Sequence, residues 1–404
     1  PDDGNGDNNN PDDGNGDNNN PGGSNGGNNN PGGSNGGNNN PGGSNGGNNN
    51  PGGSNGGNNN SGGSNGSNNS SSNENNHPSN NNSSNNNSDD SNGTDNPTVS
   101  TFVDWKSDGS SVTTNTQKDG TIVTITNNVA GAVEIATQLS NLAIDTAQKN
   151  NKAVTLPITA VETSKDIQTA QTITVYTQKD ELVKVAIPTV SPTAGTVAVI
   201  VNEDGSTSII RSSVPTTDGI VAALPDGATI KIVDNSKSFL DVPTGSWFEN
   251  AVSFVSAREL FYNTTETTFT PDAPMTYGMM ATALARYDGT QTEGGATWYD
   301  KSMEWAGVRG IADSSNPDSN ITCEQLATML WKYQGSPAVI NTPSDQAAVS
   351  QLNDTQKAMD WAVKNGIVSG FENGTFNAQS QLNRAQAAQI MMNFAQKTTG
   401  NSAQ

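Results

Sequence analysis

For its first 97 residues this chain contains no Val, Ile, Leu, Phe or Trp. The stretch runs with a ten-residue period, PDDGNGDNNN twice and PGGSNGGNNN four times, then passes into irregular Ser/Asn sequence up to Pro97. With no apolar side chains to bury, nothing offsets the entropy of ordering the backbone, so 1–97 is expected to be a disordered low-complexity linker. Two motifs inside it mislead. GGSNG at Gly22–Gly26 fits the G-x-S-x-G nucleophile pattern, but no strand, helix or partner histidine surrounds it. Asp2–Asp3 and Asp12–Asp13 lack the ligand spacing of a calcium loop and read as a solvated acidic spacer.

The capacity to fold therefore lies in the remaining 307 residues (404 − 97), enough for roughly two to four small domains. Charge is acidic throughout: residues 1–97 carry −10, 98–237 carry −4 and 238–404 carry −7, which sum to the −21 of the chain. No segment is basic, so nucleic acid and anionic lipid are poor partners. No run approaches the roughly 18 apolar residues of a membrane helix. One cysteine, Cys323, and one histidine, His77, leave no intrachain disulfide, no Cys/His metal cluster and no Ser-His or Cys-His pair. No cofactor is expected. The chain begins at Pro1 inside a repeat and reads as a fragment or mature piece, so a missing signal peptide carries no information.

Residues 98–237 read as a small β-rich (α+β) domain. Val112–Thr116 and Thr121–Thr126 flank Lys118-Asp119-Gly120, a hairpin signal. Ala132, Ile135, Ala136, Leu139, Leu142 and Ala143 fall at three- and four-residue spacing and predict a helix. Short strands come after it at Ala153–Ile158, Thr172–Tyr176, Leu182–Ile187, Thr196–Val201, Ser208–Arg211, Ile220–Ala223 and Thr229–Val233, with turn signals such as Pro225-Asp226-Gly227 between them. A structural stalk is the expected role.

Residues 238–404 repeat three times. Phe254, Trp305 and Trp361 occupy equivalent places on apolar helical patterns, and Leu260, Ile311 and Ile367 come six residues later. A second helix is predicted after Met275-Thr276, Ile321-Thr322 and Leu382-Asn383. The aromatic lies 21 residues before that point in the first and third copies (275 − 254, 382 − 361) but 16 in the second (321 − 305), which lacks the counterpart of Phe269 and Phe376. Thr322 with Gln325 and Asn383 with Gln386 have capping-box spacing, whereas Met279 cannot reciprocate for Thr276. Arg384 falls at the first helical position, where a cation opposes the helix dipole by about 0.3–1 kcal/mol. Capping does not explain it, and an anion held beside exposed N–H groups is the functional alternative to solvated chance placement. The recurrence of Trp305 and Trp361 predicts core anchors, with sugar stacking as the alternative. Cys323 is expected to be a packing residue.

The repeats resemble S-layer homology modules, which anchor bacterial surface proteins to the cell wall. The likeness rests on Phe239-Leu240-Asp241-Val242 with Trp247, on Met359-Asp360-Trp361-Ala362 through Asn365-Gly366-Ile367, on Gly370 with Asn373-Gly374-Thr375-Phe376, and on Leu382-Asn383-Arg384-Ala385-Gln386, which stands where the family's Ile-Thr-Arg-Ala-Glu string would be. The implied architecture is multidomain: the linker 1–97, a β-rich stalk 98–237, then an all-α pseudo-trimer of modules at 238–290, 291–350 (with the shortened loop and a linker) and 351–400. The resemblance implies grooves binding a secondary cell-wall polysaccharide of the peptidoglycan-associated wall, often bearing an acidic pyruvyl ketal, at an extracellular, S-layer location. Carried over by position, the candidate polysaccharide-binding residues are Arg384, Asn383, Gln386, Trp361, Gly370, Thr322, Glu324 and Thr276. Tyr277 and Cys323 stand where Arg384 stands in the third copy, which points to the third copy as the cationic one. The second region also resembles β-rich segments that precede such modules in clostridial surface proteins, through Gly195–Val199 and Thr229–Asn235.

A non-catalytic anchor is the expected function. The alternatives are the wall-bound end of a glycan-degrading enzyme whose catalytic domain precedes Pro1, or an adhesin using the β-rich domain. Glu259, Glu266 and Asp272 lie near one another in sequence but read as solvated surface acids, not as the spaced, environment-tuned pair that glycoside hydrolysis requires.

Overall fold

The computed structural model describes residues 97–262, 264–312, 316–339, 351–369 and 377–399, all within one compact unit, Asn87–Gln404. The repeat tract with its GGSNG motifs, Asp pairs and His77 lies outside the described residues, as do Gly370 and 373–376.

The β-rich region is two sheets around one apolar layer. The larger sheet holds β1 (Thr98–Trp105), β2 (Ser111–Gln117), β3 (Ile122–Asn127), β4 (Val133–Gln138), β6 (Thr172–Tyr176), β8 (Thr196–Val201), β9 (Thr207–Ile209) and β12 (Ala228–Asp234), in the order β1-β2-β3-β4-β6-β12-β8-β9. The smaller holds β5 (Val154–Thr155), β7 (Val183–Pro188), β10 (Val214–Pro215) and β11 (Gly219–Leu224), in the order β10-β11-β7-β5. Alternation fixes the inner face. Val183, Val185 and Ile187 on β7 and Ile173 and Val175 on β6 are buried, and their intervening neighbours are less so.

The expectation of a helix over 132–143 is corrected by the structure. Residues 133–138 form β4, which pairs in parallel with β6 from Glu134↔Thr172 to Gln138↔Tyr176. The helix α1 (Asn141–Lys149) begins later, where the Ser140 hydroxyl accepts a hydrogen bond from the Ala143 N–H. Ile135 and Thr137 point inward at a two-residue period. Short apolar runs satisfy both periods, and the strand partner decides between them.

The helical region carries six helices among the described residues: α2 (Glu249–Ala257), α3 (Tyr277–Tyr287), α4 (Asp300–Val308), α5 (Cys323–Tyr333), α6 (Asp354–Lys364) and α7 (Arg384–Thr398). Phe254, Trp305 and Trp361 lie on α2, α4 and α6. The helices predicted after residues 276, 322 and 383 start at those places, with full capping boxes at Thr322 and Asn383 and a one-way cap at Thr276.

Contacts in this region close on themselves in threes. Met275 N–H donates to Leu382 C=O, Leu382 N–H to Ile321 C=O, and Ile321 N–H to Met275 C=O, at 2.9, 3.0 and 2.9 Å. At the far end of the same helices Tyr287, Tyr333 and Phe394, each ten residues beyond its helix start, pack edge to face with centroids 5.9–6.2 Å apart. A backbone ring at one end and an aromatic ring at the other hold α3, α5 and α7 about a common axis.

Candidate functional site

The ring of loops decides what the helix starts can do. Arg384 N–H donates to Ala273 C=O and Ala385 N–H to Pro271 C=O, while Gln386 N–H is taken by the Asn383 side chain. Cys323 and Glu324 repeat the arrangement on Ser380 and Ala378, and Tyr277 and Gly278 on Ser319 and Pro317. The exposed N–H groups expected beside Arg384 are thus occupied by the neighbouring copy's backbone. An anion there meets side chains, not the helix end.

Arg384 reaches across the copy boundary. Its Nε donates to Phe269 C=O at 2.9 Å and its Nη2 to Tyr262 C=O at 2.7 Å, with the guanidinium carbon 4.5 Å from the centre of the Phe269 ring. Only 6% of the residue is exposed. Burial lowers its pKa, and the Asp241 carboxylate, which caps the Phe269 and Thr270 N–H groups, opposes that effect. The side chain forms one wall of a cleft of about 250 Å³.

A second arginine lines the same cleft from the last turn of α3. Arg286 lies 3.7 Å from the centre of the Tyr262 ring and donates to Leu260 C=O at 3.3 Å and Thr292 Oγ1 at 3.4 Å. Burial lowers its pKa too. Two half-exposed rings, Trp298 at 52% and Tyr262 at 51%, complete the lining. Thr282 also lines the cleft, with its hydroxyl oxygen buried and without a hydrogen-bond partner among the described residues. Guanidinium forks recognise carboxylates, and aromatic faces stack on sugar rings. The chemistry fits an anionic saccharide.

The same positions in the next copy give a smaller cleft, of about 70 Å³, in which Tyr277 replaces Arg384, Lys332 replaces Arg286 and Thr328 replaces Thr282. In the third set Cys323 and Asn393 stand at the two cationic positions. Cys323 is fully buried, and burial pushes its thiol up to about 11.

The sequence-derived candidates divide by what their side chains touch. Arg384 lines the large cleft and Glu324 the small one, where Glu324 Oε1 also accepts from Gln379 Nε2. Thr276, Thr322, Asn383 and Gln386 use their polar atoms in the helix caps. Trp361 is a core residue, 7% exposed and edge-on to Phe394. Arg286, Trp298, Tyr262 and Thr282 were not anticipated. One signal existed: Trp298 stands 51 residues after Trp247, the spacing that separates Trp305 from Phe254.

A family model described as S-layer homology domain matches residues 238–281 and 345–388. The chain is 24% identical over 182 residues to an amylopullulanase of Thermoanaerobacterium thermosulfurigenes, a match covering 40% of this chain and 10% of that protein. It is 32% identical over 98 residues to cell surface glycoprotein 1 of Acetivibrio thermocellus, covering 23% of this chain and 4% of that one. The chain thus spans a small fraction of either relative. No described helix is long and apolar enough to cross a membrane.

Proposed function

Because this chain carries S-layer homology domains, we propose that it anchors a bacterial surface protein in the cell wall, and that it does so by binding a wall polysaccharide in the cleft between Arg384 and Arg286. Three modules are the unit of binding in this reading: 238–290, 291–350 and 351–400 share the backbone ring and the aromatic triangle, and a cleft lies where one copy's helix start meets its neighbour. The observation that carries the reading is the pairing of two guanidinium groups with an exposed indole in one cleft of about 250 Å³. The helical region is net acidic, −7, so long-range attraction does not gather a polyanion and recognition is local. A pyruvyl ketal is the kind of small carboxylate that a guanidinium fork accepts beside a sugar ring.

The test is retention of the whole chain on purified walls of the producing bacterium, before and after chemical removal of the polysaccharide. Retention that disappears with the polysaccharide supports the reading, and equal retention on stripped walls sinks it. Arg286→Gln and Trp298→Ala, both at the cleft rim, are each expected to weaken retention about tenfold, the effect of a charge-assisted contact or a stacked ring worth about 1–2 kcal/mol. A second reading, the wall-bound part of a glycan-degrading enzyme, is favoured by the likeness to an amylopullulanase. It shares the anchor and differs in what is anchored. Glycan hydrolysis by the full-length gene product would establish it.

A further inference from the structure

The first helix pair departs from its two copies at the two residues that follow its first helix, and both departures are bonds to the β-rich region. In the second and third copies the residue after the first helix is exposed, Arg309 or Asn365, and the next is a glycine in the left-handed conformation, Gly310 at φ 66° and Gly366 at φ 64°. In the first copy these places hold Arg258 and Glu259. Arg258 is fully buried: its Nε donates to Ser213 C=O, its Nη1 to Ala194 and Phe254 C=O, and its Nη2 to Thr196 C=O, at 2.6–3.2 Å. Glu259 adopts φ 55°, a conformation that disfavours a side chain, and pairs with Arg211 Nη2 at 3.0 Å. One residue before Arg258, the Ala257 C=O accepts from Asn235 Nδ2 at 2.6 Å.

Residues 260–262, next along the chain, form a wall of the large cleft. Leu260 C=O holds Arg286 and Tyr262 C=O holds Arg384. We infer that the β-rich region is a positioning element for the polysaccharide cleft: by clamping residues 257–259 it fixes the carbonyls of 260–262, and through them the two guanidinium groups. The inference rests on the binding role proposed above for that cleft. Arg211, Asn235 and Glu259 are positioning residues that touch no ligand. The two other copies serve as internal controls, because there the unclamped position is glycine. The β-rich region is then more than a spacer between anchor and cargo, since a load or partner that disturbs it reaches the cleft.

The test uses the full chain and the residue that the other two copies already carry at this place, Glu259→Gly. It relieves the left-handed backbone while losing the Arg211 pair, so its melting temperature is expected to stay within about 2 °C of the parent. Amide hydrogen exchange at 260–262 is expected to accelerate about three- to tenfold. Retention on unstripped walls is expected to fall roughly two- to fivefold. Arg211→Gln should do the same, the double variant should add nothing, and the charge exchange Arg211→Glu with Glu259→Arg should restore part of both effects. Unchanged exchange at 260–262 in both single variants overturns the clamp. Faster exchange with unaltered wall retention overturns its link to binding. If the unmutated chain is not retained at all, the anchoring reading fails instead, and exchange alone then decides whether the clamp exists.

Discussion

Arg384 carries a structural bond that its place in the sequence does not announce. Its position at a helix start suggested a cation beside free N–H groups, yet those groups are bonded and the guanidinium bridges two copies through Phe269 and Tyr262 C=O. Arg384→Ala is therefore expected to lose wall retention and also about 1–3 kcal/mol of stability, because the buried Phe269 carbonyl and the part-buried Tyr262 carbonyl lose their donor. Arg384→Lys should recover some stability but little binding, since an ammonium cannot supply the planar fork. Denaturant titration and wall pull-down on the same samples separate the two losses. Cys323 carries a different expectation. Its thiol, up from 9.0 to about 11, and the buried Tyr287 hydroxyl, up to about 12, both hold their protons more tightly in the folded chain. Their stabilisation is complete below pH 9 and is lost as pH rises through 11 and 12. The thiol alone is worth up to ~3 kcal/mol over that range. Melting temperature should fall steadily above about pH 9, less steeply in Cys323→Ser, and thiol reagents should label the native chain slowly at neutral pH. Rapid stoichiometric labelling would contradict this.

At the level of elements, the helix starts were legible because capping is local. Thr322 and Asn383 each stand three residues before a Gln, and both boxes form. Asn383→Ala, which loses its side chain's bond to the Gln386 N–H, should cost about 1 kcal/mol, and Thr276→Ala, with no reciprocal bond to lose, should cost less. Urea midpoints would rank them, and a larger loss at Thr276 would show that the backbone ring, not the cap, sets the cost. The strand β4 was not legible. Ala132, Ile135 and Ala136 fit a helical period, but the edge of β6 that pairs with β4 lies almost forty residues away in sequence. Periodicity reports which side of an element is apolar; the partner that hydrogen-bonds its backbone is a property of the assembled sheet.

Across the described molecule, the two regions are joined by a buried cation without a carboxylate. Four carbonyls satisfy Arg258, three of them from the β-rich region. Lys184 on β7 adds a bond to the Thr398 C=O at the end of α7. Arg258→Met should cost about 3 kcal/mol or more, since buried carbonyls then lack donors. In the parent, far-ultraviolet and tryptophan signals should report one coincident unfolding transition. Two separated transitions in the parent would mean that the regions fold independently.

The threefold repeat, the helix starts and the apolar anchors Phe254 and Trp361 were determined by the sequence alone, because periodicity, capping and burial of large apolar groups act over a few residues. The cleft was decided by the tertiary structure. Arg384, Arg286 and Trp298 belong to three different copies and are brought together by a ring of backbone hydrogen bonds that no local pattern encodes. The same holds for Arg258: beside Arg309 and Asn365 it reads as another surface residue at a helix end, and it became the joint between two regions only because the β-rich region's carbonyls meet it there and water does not.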